Sequence, residues 1–239
     1  MIYKPFFCFL LCISIPQTLH AAIVVLDSGA APLGGRTLNQ GWWSDVDTNS
    51  PTNDSIQTGS INLGGGIIVN YRSFFTFDLT DPALAGVTIE SAQLLVTRGS
   101  GTNPNNQNTL SVDLRDVSTT AAELTDTSNT TLRAQIYDDL GTGTTYGQFD
   151  VSGAGNASDV IEFDLNAAGI NAIQNGIGNG YFSIGASIAN SDGDDTLFVE
   201  SPAASSVSLR LGFSAVPEPS SFAGLSLASL LFIRRRRNN

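Results

Sequence analysis

Few side chains in this 239-residue chain have the type and spacing to do chemistry. Asn190-Ser191-Asp192-Gly193-Asp194-Asp195 packs oxygen-bearing groups into one short stretch. Hard cations take about six to eight oxygens from Asp, Asn and backbone carbonyls. Asn190, Asp192, Asp194 and Asp195 are therefore candidate metal ligands, and calcium is the candidate cofactor. The stretch is not an EF-hand, because Gly193 is misplaced and the twelfth residue from Asn190 is Ser201 rather than Glu. A solvated acidic turn accounts for the same residues without metal. Asp45 and Asp47 form a second, weaker cluster. Trp42-Trp43 is the only tryptophan pair. In a strand the two rings face opposite sides, so one would enter a core while the other offers a platform for carbohydrate. Core and edge packing is the competing reading of the pair. Arg72 stands alone among aromatics, where packing on a ring or pairing with Asp78 is expected before ligand binding.

Other chemistries are excluded by what is missing. Both cysteines, the histidine, the only lysine and the only methionine lie within residues 1–22. Beyond them, Cys–His and Ser–His–Asp arrangements cannot be assembled, nor can a Schiff base or a zinc site of the usual ligand sets. Gly34-Gly35 and Gly64-Gly65-Gly66 lack the lysine and following helix of a phosphate loop. Two carboxylates roughly 5–10 Å apart would suffice for a glycosidase, but spacing singles out no pair among so many. From Ile23 to Val216, 21 acidic residues face six arginines, a net charge of −15. Such a surface repels nucleic acid, whose backbone binding needs clustered Lys and Arg. It favours solubility, or attraction for divalent cations and cationic polymers.

The elements that would position these groups are strands. Clusters of Gly, Asn, Ser, Thr and Asp separate short runs rich in Val, Ile, Leu, Phe and Thr, the rhythm of a sandwich or barrel. Residues 67–79 read as a long strand or strand pair, with Phe75, Phe77 and Leu79 on one face and Phe74, Thr76 and Asp78 on the other. Residues 88–97 alternate, as do Leu110, Val112 and Leu114. Residues 160–165, 181–188, 197–200 and 207–213 complete the set. Two short helices are expected. One carries Leu132, Ile136 and Leu140 at four-residue spacing and stops at Gly141. The other spans residues 167–174 after an Asn166 cap. With no disulfide available, the fold must rest on its core, which is adequate at this size.

The two ends differ from the middle. Lys4, an apolar run over residues 6–15 and the small-residue exit Leu19-His20-Ala21-Ala22 form the three parts of a secretory signal peptide, with cleavage expected after Ala21 or Ala22. At the other end Pro217-Glu218-Pro219 precedes a short apolar span, residues 222–233, and then Arg234, Arg235, Arg236 and Arg237. That span would reach about 18 Å as a helix, short of a hydrocarbon core about 30 Å thick. Its arginines are expected on the cytoplasmic side. This ending resembles the PEP-CTERM sorting signal of Gram-negative bacteria. The resemblance implies recognition by an exosortase-type membrane protease, transient residence in the inner membrane, removal of the tail, and export alongside extracellular polysaccharide.

A second resemblance lies in the middle. Tyr71 to Leu79 (YRSFFTFDL) followed by Ile89 to Leu94 (IESAQL), with Phe198-Val199-Glu200-Ser201 and Val207 to Leu211 (VSLRL) later, is similar to DNRLRE-type sandwich domains. It implies a jelly-roll-like sandwich related to carbohydrate-binding modules. The expected organisation is thus a signal peptide over 1–22, an all-β antiparallel sandwich over 23–215 and a sorting or transmembrane segment over 216–239. The leading functional expectation is an exported, non-catalytic envelope or extracellular-matrix protein, structural or adhesive and associated with polysaccharide. A carbohydrate-binding module with structural calcium comes second, and a glycan-acting hydrolase third.

Overall fold

The computed structural model describes residues 21–47, 54–99, 103–104, 109–126, 128, 130–198 and 207–214. The expected signal peptide and sorting tail, including Pro217 to Pro219 and Arg234 to Arg237, lie outside them. The described residues form twelve strands: β1 (Ala21–Asp27), β2 (Gln40–Ser44), β3 (Thr58–Asn62), β4 (Ile68–Asp78), β5 (Thr88–Thr97), β6 (Asn103–Pro104), β7 (Thr109–Asp116), β8 (Thr145–Ser152), β9 (Val160–Asp164), β10 (Tyr181–Ile188), β11 (Asp195–Leu197) and β12 (Ser208–Ser214). They form two antiparallel sheets. Sheet A runs β1-β12-β5-β9. Sheet B runs β6-β11-β3-β4-β10-β7-β8, with β2 pairing separately on β4.

Period-two alternation gives each sheet one apolar face, and the two faces share one core. Sheet A contributes Leu26, Leu94, Phe163 and Leu211, and sheet B contributes Phe75, Phe77, Val112 and Ile184. Strand β5 departs from strict alternation. Its even positions Ala92, Leu94 and Val96 are buried, yet so is Ile89. The pairing of β5 with β12 shifts between Gly212 and Phe213, and an irregularity of this kind turns the following side chains over.

Among the described residues three α-helices occur rather than the expected two. The expected pair is α2 (Arg133–Asp139) and α3 (Ala167–Gly176), the latter capped by Asn166, whose Oδ1 accepts from Ala168 N and Gly169 N. The third, α1 (Ala121–Thr125), is a five-residue helix closed by a capping box between Thr120 and Glu123. Its Thr-x-x-Glu signature is visible in the sequence, but the segment is too short to show helical periodicity. Strand β11 is shorter and earlier than the expected 197–200 run: Phe198 takes φ +60°, which ends it. Strand β1 includes Ala21 and Ala22, the two alanines at the expected leader boundary. No helix among the described residues is long and apolar enough to cross a membrane.

Candidate functional site

The face of sheet B turned away from the main core is not bare. Trp43 from β2 and Phe74 from β4 project there and are covered by Leu124 of α1 and by Ile136 and Leu140 near α2, making a second buried cluster. Helices of five and seven residues are marginal on their own, so contacts with the sheet must hold them. Two arginines do so by meeting the helices' C-terminal carbonyls, where the helix dipole favours positive charge. Arg36 Nε donates to Thr125 O at the end of α1 (2.9 Å). Arg72 Nη1 donates to Tyr137 O (2.6 Å) in the last turn of α2, and its guanidinium lies 4.1 Å from the centre of the Tyr137 ring. Trp43 Nε1 donates to Leu124 O (3.1 Å).

Close approach at α2 depends on two glycines. A Cβ on Gly141 would meet the Arg72 guanidinium at 2.3 Å, and one on Gly185 of β10 would meet Leu140 O at 2.6 Å. The first would displace the flexible end of Arg72, whereas the second meets backbone and could be relieved only by moving α2. Arg36 itself is buried against Asp54, with side-chain exposures of 0% and 3% and an N···O distance of 3.1 Å. Burial depresses the Arg36 pKa, and the Asp54 charge opposes that shift. The second Asp54 oxygen accepts from Thr37 N and Leu38 N, both at 3.0 Å.

Beside α2, sheet B leaves a groove of about 380 Å³. Its walls include Asn70, Tyr71 and Arg72 of β4, Asp113 of β7, Tyr137 of α2 and Ser187 of β10. Burial pushes both phenols up, that of Tyr71 further through Asp45 and Asp47, while Arg72 opposes the shift at Tyr137. Asp113 is the groove's one carboxylate among the lining residues. It accepts from Arg115 Nη2 and from Gln148 Nε2, each at 2.9 Å. The groove therefore offers amide, hydroxyl and guanidinium groups beside aromatic rings, a lining suited to a neutral polyhydroxylated ligand. A larger hollow of about 540 Å³ by α1 and α2 is lined in part by Glu123 and Asp139. Those carboxylates are engaged in local structure: Glu123 in the capping box, Asp139 by Ser118 and Thr119.

The sequence candidates fall as follows. Trp43 has no exposed surface. Trp42 is half-buried, edge-on to Tyr71 with ring centres 5.0 Å apart. The pair thus divides between the second cluster and a mixed aromatic contact beside the groove-lining Tyr71. The acidic stretch is tied onto its neighbours by its own oxygens. Asn190 Oδ1 accepts from Ser111 N (2.8 Å), Asp194 Oδ1 from Asn62 N (3.3 Å) and Asp195 Oδ2 from Asp192 N (3.3 Å). Ser60 Oγ meets Ser191 Oγ and accepts from Gly193 N. Asp195 is fully buried, whereas Asp192 is exposed. Among the described residues, no three His, Cys, Asp or Glu side chains are grouped to hold an ion. Asp45 serves a different end: its carboxylate accepts from Asn70 N and Nδ2. Arg72 packs on Tyr137 rather than pairing with Asp78.

Sequence reasoning did not find Tyr137, Asn70, Asp113 and Ser187 as neighbours of Arg72. The lone arginine among aromatics was the only local signal, since the others come from strands and a helix far apart in the chain. Comparison with known proteins brings no relative: no family model matches the chain, and no curated protein matches it.

Proposed function

We propose that this is an exported, non-catalytic protein of a bacterial envelope or extracellular matrix, and that its sheet-B groove contacts extracellular polysaccharide. The groove is the observation that carries this reading. Tyr71 and Tyr137 border a hollow lined by Asn70, Arg72 and Ser187, and sugars present alternating hydroxyl and C–H surfaces that such a lining complements. The single carboxylate there, Asp113, is already engaged twice, which favours holding a glycan over cleaving one with a carboxylate pair. A jelly-roll-like reading of the two sheets belongs to the same proposal, as do the signal peptide and the exosortase-processed tail.

The test is retention of the full chain on a panel of immobilised neutral and acidic polysaccharides. Neutral glycans are expected to retain it. Ser187→Phe, which fills the groove from β10, and Tyr137→Ala are each expected to abolish retention. Equal retention of all three proteins would remove the groove from the function. For export, the intact mass of protein recovered from its own cells is expected to lack residues 1–21 and Arg234 to Arg237.

A further inference from the structure

Apart from β2, which pairs only with β4, the two sheets end in four strands that are built differently. Strand β9 carries Glu162 and Asp164, β8 carries Asp150, and β6 is only two residues long and contains Pro104. Charge, proline and brevity are the usual devices that stop an open edge from pairing with another chain. Strand β1 has no proline, is not short, and carries its one charge, Asp27, only at its last position. It runs for seven residues, AAIVVLD, with no charge before Asp27. Its outward side chains Ile23 and Val25 are 66% and 56% exposed. Ala22, Val24 and Leu26 turn inward to the core.

Among the described residues the outer backbone edge of β1 is also unpaired. Ser28 N donates to Val207 O, continuing the β1–β12 ladder. Alternation therefore directs the amides of even residues toward β12 and those of Ile23 and Val25 away from it. We propose that β1 is a self-pairing edge, which joins two copies of this chain antiparallel about a two-fold axis through Val24. That register sets Ile23 of each copy beside Val25 of the other, so the two exposed apolar residues cover one another, and Ala22 faces Leu26. Asp27 lies opposite Ala21, so no like charges meet. Centring on Ile23 would leave Val25 against Ala21, and centring on Val25 would set Ile23 against Asp27.

The self-complementary register, with Ile23 and Val25 covering one another, selects a second copy as the occupant. Two molecules each near −15 repel over most of their surfaces, and β1 is the sheet end where they approach without opposing carboxylates. An isologous contact satisfies both edges at once and makes one continuous sheet of the two four-stranded ones. A single strand pair is small beside the roughly 1,000 Å² of a stable interface, so the dimer is concentration-dependent.

The test uses the full chain in mild detergent with Cys8→Ser and Cys12→Ser removing native thiols. At a non-hydrogen-bonded antiparallel pair the Cα atoms lie about 4.5 Å apart, within the reach of a disulfide. Val24→Cys is thus expected to give an oxidised dimer. A mixture of Ile23→Cys with Val25→Cys, both at exposed positions that leave the core alone, is expected to cross-link where neither does by itself. Ile23→Lys, added to the Val24→Cys chain or to the Val25→Cys chain of the mixture, is expected to abolish cross-linking. Absence of both cross-links would overturn the proposal. So would cross-linking by Ile23→Cys alone, or a dimer that ignores Ile23→Lys.

Discussion

The main core and the second cluster over sheet B are buried to similar degrees but made in different ways. The main core draws on both sheets, and its residues recur at every second position of long strands. The second cluster has five buried residues, Trp43, Phe74, Leu124, Ile136 and Leu140. They come from two strands and two helical segments that no alternating pattern joins. Redundancy protects the first, because neighbouring side chains share the packing. The second depends on a few specific approaches: Gly185 under Leu140, Gly141 against Arg72, and two arginines at helix ends. A surface helix laid on a sheet is therefore the more easily displaced part of this protein, and it forms one wall of the groove.

The largest effect is expected in the main core. Phe163 packs edge-on to both Phe149 and Phe198, with ring centres 5.1 and 6.1 Å away. Phe163→Ala should cost about 3–5 kcal/mol, measured by denaturant unfolding, with both sheets lost together. Gly185→Ala tests the opposite case. Its Cβ must push α2 outward, at a cost of about 1–3 kcal/mol. The outcome sought is exposure of Trp43, read as a red-shifted emission, while strand circular dichroism is unchanged. An unaltered emission would show that the helix is not seated through Gly185. Arg72→Ala removes the ring contact and the carbonyl donor together and should cost about 1 kcal/mol. It should also weaken glycan retention, because it loosens Tyr137.

Acid separates the two regions further. Burial by itself would raise the Asp139 pKa, but hydrogen bonds from Thr119 and Ser118 outweigh it and hold the carboxyl below its ordinary value. A group depressed in the folded state stabilises above its unfolded value, about 3.9, and loses that contribution as pH falls through the folded value. Stability from Asp139 should thus be constant near neutrality and fade below about pH 4. Asp139→Asn should flatten this part of the acid dependence, and an unchanged pH profile would assign it elsewhere. The smallest effect is expected from calcium. Asn190, Asp194 and Asp195 already accept from backbone amides, so a cation must compete with those bonds. Millimolar calcium is expected to leave Tm unchanged. A rise removed by Asp192→Asn with Asp194→Asn would establish a site there.

The all-β antiparallel character, strands β4, β5, β7, β9, β10 and β12 and the two longer helices were legible in the sequence. Alternation and caps are local signals, and they are readable wherever a strand such as Thr88–Thr97 faces water on one side. The sequence places every cysteine, histidine and lysine within residues 1–22, since composition does not depend on folding. It also pointed to Arg72 and to the Trp42-Trp43 pair, though not to their surroundings. Only the tertiary structure decided that Trp43 is covered by α1 and α2 and that Arg72 caps α2 rather than meeting Asp78. The same holds for Asp113 and Ser187, which join one groove with Tyr137. Those outcomes turn on which strands pair and which helix lies on the outer face of a sheet. The deciding contacts join residues 65 to 81 positions apart, Arg72 with Tyr137 and Trp43 with Leu124, and no local pattern in the chain encodes them.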